Sequence, residues 1–131
     1  MKMTAVNPWP WSVGLGYNQG VVVSGQTRTL HCAGQTATDG AGQPQFPGDM
    51  AAQIGLCLDN LQAVLGQADL SLADVVRLTI YATDVDQLFQ HYDVLTGRLG
   101  AAKAAPPTTV LGVTRLAVPG LMVEIEATAV S

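Results

Sequence analysis

The stretch Leu121–Val130 reads Leu-Met-Val-Glu-Ile-Glu-Ala-Thr-Ala-Val, and it alternates. Val123, Ile125, Ala127 and Ala129 fall on one side; Met122, Glu124, Glu126 and Thr128 fall on the other. Successive side chains of a strand point to opposite faces, so this stretch demands a sheet with one apolar face. Something else in the chain must cover that face. The opposite face carries two carboxylates, which open solvent or a site would accept equally well.

The cover is present. From Asp49 to Ala68, residues Met50, Ile54, Cys57, Leu58, Leu61, Val64, Leu65 and Ala68 recur at steps of three and four, the stripe of an amphipathic helix. Asp49 suits its N-terminal end. A second helix is expected to start at the Thr83-Asp84-Val-Asp-Gln87 cap. Its stripe is Val85, Leu88, Phe89, Tyr92, Leu95 and Leu99, and Gly100 closes it. His91 falls near its polar side, as a solvated residue.

Strands are expected around these helices. Val21–Val23 and Thr29–Ala33, separated by Ser24-Gly25-Gln26-Thr27, read as a hairpin. Gly34–Gly48 read as a loop. Val75–Ala82 is a third strand, with Val76, Leu78, Ile80 and Ala82 on one face and Val75, Arg77, Thr79 and Tyr81 on the other. Thr108–Val113 is a fourth, and a Pro119-Gly120 turn leads into the last. Two strands, helix, strand, helix, two strands make an α+β sandwich with both helices on one face of the sheet. The other face gathers His31, Ala33, Val75, Arg77, Thr79, Tyr81, Met122, Glu124 and Glu126, where Arg77 and the glutamates could satisfy one another.

Composition narrows the function classes. The 131 residues form one domain, and only 12% are charged, against about 25% in an average soluble chain. A small domain so poor in charge is expected to hide part of its surface between copies of the chain. Six Lys plus Arg, unclustered, within a net charge of −4 argue against a nucleic-acid partner. No apolar run reaches the ~18 residues of a membrane span. The first residues lack the apolar core of a signal peptide, so a cytoplasmic protein is expected. Cys32 and Cys57 have no metal or redox spacing and read as two buried thiols, and His31 beside Cys32 is no zinc pair because strand neighbours point apart. Neither a metal nor another cofactor is expected. Gly14-Leu-Gly16 with Gly20 is not a dinucleotide motif, since no strand precedes it and no helix follows. The Pro- and Gly-rich arm 7–20, with Trp9, Trp11 and Tyr17, must pack on some surface, its own subunit's or a neighbour's.

Taken in order, Gly16-Tyr17-Asn-Gln19-Gly20, Ala33-Gly34-Gln35, Asp39-Gly40, Gln53, Asn60-Leu61, Leu72-Ala-Asp74-Val75-Val76, Tyr81-Ala-Thr-Asp84, Val113-Thr-Arg115-Leu116 and Val123-Glu-Ile-Glu-Ala127 make a pattern. Over nearly its full length the chain resembles the Rid family, also called RidA/YjgF or L-PSP proteins. The resemblance implies a chorismate-mutase-like (YjgF-type) sandwich with a mixed sheet. It also implies a homotrimer whose sheets face the three-fold axis, with small-molecule clefts between subunits. In the best-known branch it implies hydrolysis of 2-imino or enamine acids to 2-keto acids and ammonia. An arginine there clamps the substrate carboxylate, and a glutamate on the last strand handles water.

Transferred residue by residue, the glutamate is Glu124 and the cleft tyrosine is Tyr17. The arginine position is held by Thr108, the serine before Gly-Gln by Ala33, and a cysteine position by Val110. Arg115 matches a different, structural arginine. A threonine has one hydroxyl and no charge where a guanidinium has five donors and a full charge. Losing such a partner of a bound carboxylate costs about 2–5 kcal/mol. Ordinary 2-imino acid deamination is therefore not expected. Two readings stay open: a deaminase-type hydrolase using Glu124, with Tyr17 and Thr108 orienting a substrate without that carboxylate, or a non-catalytic ligand-binding or regulatory trimer in which Glu124 bonds across an interface. A holdase with exposed apolar surface is a weaker third.

Overall fold

A computed structural model describes residues 1–131. The central element is the last strand, β7 (Val123–Val130), whose alternation is realised in burial: Val123, Ile125, Ala127 and Ala129 are in the core, while Glu124, Glu126 and Thr128 are half-exposed. On one side of β7 runs β5 (Val75–Ala82), antiparallel, and beyond it β6 (Thr108–Gly112), parallel to β5. On its other side β3 (Thr29–His31) and the short β4 (Gln35–Thr36) pair with successive parts of β7. The sheet is therefore mixed, as an α+β sandwich of this kind requires.

Helix α1 (Met50–Gln67) covers the apolar face with Met50, Ile54, Cys57, Leu58, Leu61 and Leu65. Asp49 caps it by accepting from the Ala52 N–H at 3.0 Å. Its stripe also holds Gln53, fully buried. That amide donates to the carbonyls of Gln45, Phe46 and Gly120 and accepts from the Met122 N–H at 2.8 Å. One side chain thus ties the loop before α1 to the turn that feeds β7. The second helical region is not one helix. The backbone leaves helical geometry at His91, giving α2 (Val85–Gln90), capped by Asp84, and α3 (Tyr92–Ala101). Leu88, Leu95 and Leu99 keep to the core, but Phe89 turns outward.

Four further expectations are corrected. Val21–Val23 and Thr29–Ala33 do not pair: β2 (Gly20–Ser24) pairs with β1 (Lys2–Val6) in a separate ribbon. The physical reason lies at the other end of the chain, where Thr27 and Arg28 donate to the Ser131 carbonyl and Arg28 accepts from Ser131, drawing β3 along β7. Val75 joins the core face, because Val75 opposes Ala129 while Arg77 opposes Thr128, leaving Val76 as a bulge that reverses the alternation upstream. Cys57 is buried but Cys32 only half so; both thiols are free. Arg77 donates to Thr109 and not to a glutamate, and Glu126 accepts from Tyr81 instead.

Candidate functional site

The arm before β2 is shaped by its own backbone. Pro10–Leu15 make a 3-10 turn that ends at Gly16, which has φ +94° and so a conformation that favours glycine. Asn18 then anchors the arm, its backbone N–H and its side chain both donating to the Ala105 carbonyl, while Asn7 bridges Asn18 and Gln19. Ala105 lies three residues before Thr108. This stitching places Tyr17 beside the start of β6. Within the arm Trp11 sets its edge against Tyr17 with centroids 6.1 Å apart, while Trp9 and Trp11 stay more than half exposed.

Tyr17, Thr108 and Val110 come together. With Leu15, Phe89 and Tyr92 they line a cleft of about 310 Å³. Phe89 and Tyr92 straddle the break at His91 and stack at 5.1 Å. Burial, with Tyr17 nearby, raises the Tyr92 phenol above its usual range. Thr108 donates its hydroxyl to the Pro106 carbonyl at 2.9 Å.

Glu124 is elsewhere. Thr108 and Val110 are in register with Leu78 and Ile80, on the helix-covered face, whereas Glu124 is in register with Tyr81 and Thr36, on the opposite face. Ala33 lies on the segment leading into β4, and Gly34 sits against Glu124 so closely that a Cβ there would fall on the carboxylate. Asn60 holds this segment by donating to the carbonyls of Thr36 and Thr38. On the same face His31, Arg77, Thr79, Tyr81, Thr109 and Glu126 border a depression of about 460 Å³. Within it Tyr81 donates to Glu126 at 2.5 Å, a bond that holds the Tyr81 phenol above its usual range. In the core, burial, with the charge of Glu124 second, pushes the Cys57 thiol up to about 12.

One chain thus places its candidate residues on the two faces of one sheet. Residues 10–131 match the model of the family described as endoribonuclease L-PSP. The chain belongs to that family. Protein DfrA of Myxococcus xanthus is 36% identical over 117 residues, covering 88% of this chain and 85% of its own. YyfB of Yersinia pestis, a solved member of the Rid protein family, is 36% identical with a TM-score of 0.85 over the whole of both chains. Escherichia coli TdcF, solved with bound serine, has a TM-score of 0.71 and 29% identity over 88% of this chain and 87% of its own. TdcF is named as a reactive intermediate deaminase. The YjgF-type α+β fold expected from the resemblance is the one observed.

Beyond the residues transferred from the family, this Rid protein puts Leu15, Phe89 and Tyr92 in the cleft. Their signal in the sequence was weak, since Phe89 and Tyr92 fit a helical stripe; in the structure Phe89 is exposed and Tyr92 is half-buried against the core. Arg115 donates to the carbonyls of Leu116 and Ala117, its own loop, in keeping with a structural role.

Proposed function

We propose that the protein is a Rid-like hydrolase of imines or enamines, working in clefts between the subunits of a homotrimer. The observation that carries this reading is the separation of Tyr17, Thr108 and Val110 from Glu124 and Ala33 by the thickness of the sheet. A second copy whose Glu124 face lies against the first copy's cleft joins the two halves. In that cleft Glu124 takes a proton from water as the water oxygen bonds to the C=N carbon. That proton passes to nitrogen, giving the carbinolamine; its hydroxyl proton then moves by way of Glu124 to the nitrogen as the C–N bond breaks and the C=O bond forms, and a carbonyl compound and ammonia leave. Tyr17 and Thr108 orient the substrate. Without a cation at position 108 the substrate is one that lacks the carboxylate of a 2-imino acid. A cytoplasmic setting goes with this proposal. The ribonuclease in the family's description is not carried over, because a net charge of −4 with no basic cluster suits no phosphate backbone.

A second reading is a non-catalytic ligand-binding or regulatory trimer. It is favoured by the engagement of Thr108 with Pro106, which leaves the clamp position without a proton to offer. Ammonia release from freshly generated imines and enamines, carboxylate-free members included, separates the two. Turnover that disappears in Glu124→Gln, with assembly unchanged by light scattering, is the expected result. Equal turnover in that variant removes the role of Glu124, and no turnover across the panel leaves the binding reading.

A further inference from the structure

The cleft beside Thr108 is walled by rings. Trp11 meets Tyr17 at 83°, Phe89 tilts on Tyr92 at 48°, and Tyr17, Phe89 and Tyr92 all line the space. Phe89 is 53% exposed and Trp11 58%, so these rings are not consumed by the core. Leu15 and Val110 supply an apolar floor.

No Lys, Arg or His lines the cleft. Arg98 is paired with Asp59 at 2.9 Å, and Arg77 lies on the other face of the sheet. Thr108 spends its proton on Pro106, so toward a ligand it presents only lone pairs. Ring faces likewise carry negative potential. Thr108 and the ring faces therefore attract positive charge, and the phenol hydroxyls of Tyr17 and Tyr92 are neutral groups that donate or accept.

We infer that the cleft takes an organic cation, an ammonium or iminium nitrogen on a small apolar or aromatic body, and discriminates against carboxylates. This rests on the proposed site but not on its chemistry, because binding can be read without turnover. It also deepens the chemistry: an iminium carbon is more electrophilic than that of a neutral imine, so selecting the cation selects the form that water attacks. A cation over aromatic faces in a partly desolvated site gains about tenfold in affinity.

The test is calorimetric titration of the assembled protein with four probes sharing one ring: benzylammonium, benzyltrimethylammonium, benzyl alcohol and benzoate. Both cations are expected to bind at least about tenfold tighter than benzoate, with the alcohol between. Phe89→Leu, which keeps an apolar residue at an exposed position, should weaken the cations several-fold and the alcohol much less. Thr108→Arg should reverse the order in favour of benzoate. The inference is overturned if benzoate matches the cations, if the alcohol matches them, or if no probe binds at millimolar concentration. The two readings fail separately. Benzoate preference together with Glu124-dependent turnover removes the cation inference alone, and cation binding without turnover removes the hydrolase alone.

Discussion

Glu124 owes its position to a residue with no side chain. Gly34 leaves the space that the Glu124 carboxylate occupies, and a methyl group there must displace the whole end of the side chain. The displaced group is flexible, so Gly34→Ala should keep the fold at a cost of no more than about 1–3 kcal/mol. Turnover on the best imine should fall roughly 10–100-fold, since a displacement of about 1 Å is enough to do so. Thermal unfolding and single-substrate kinetics, run on the same preparation, check both halves. Tyr81 makes a different prediction. Its bond to Glu126, and the burial of Tyr92, raise both phenols in the folded state. As pH rises past the ordinary phenol value of about 10, the unfolded chain releases those protons first, so stability falls. Below that pH both states hold the protons and there is no effect. Tyr81→Phe should flatten the alkaline fall, with Tyr92 accounting for the rest; denaturant unfolding between pH 9 and pH 11 measures it.

At the scale of elements, α1 does more than cover the sheet. Its Gln53 bonds four backbone groups, from the loop before the helix and from the turn before β7. Gln53→Leu preserves bulk and apolar burial but leaves the Gln45 and Gly120 carbonyls and the Met122 N–H without their partner, while the Phe46 carbonyl keeps the Asp49 N–H. It should cost about 2–4 kcal/mol, measured by urea unfolding, against near-neutral changes at exposed positions on the same helix. An amide amid an apolar stripe is visible in the sequence; its partners are not, because Gly120 and Met122 lie more than sixty residues away. The two helices of the crossover show the converse. A stripe running unbroken from Val85 to Leu99 predicts one helix, and the departure at His91, with φ −123°, leaves no mark on a periodicity that simply continues through it. Phe89, just before that departure, is exposed and lines the cleft.

For the whole molecule, the decisive quantity is the number of copies. The face bearing His31, Arg77, Leu111, Glu124 and Glu126 is open in one chain, and the cleft at Tyr17 lacks the proposed water-handling carboxylate. Multi-angle light scattering at micromolar concentration should report about three times the 13.6 kDa chain mass. A monomer would remove the joined cleft and every role assigned within it.

The alternating pattern of Val123–Val130, the stripe of α1 and the strand Val75–Ala82 depend on the chain's own period of burial, so the core, the α+β class and the family could be read directly from residue order. Short-range pairing misled at the start of the chain. Val21–Val23 faced a nearby partner in sequence, yet Ser131, a hundred residues on, drew β3 away. The bulge at Val76, the break at His91 and the division of Tyr17 and Glu124 between two faces arise from register and from contacts between distant segments. Local patterns encode which side of an element is apolar. Only the packed chain decides which elements meet, and hence which of its polar and aromatic groups share a cleft.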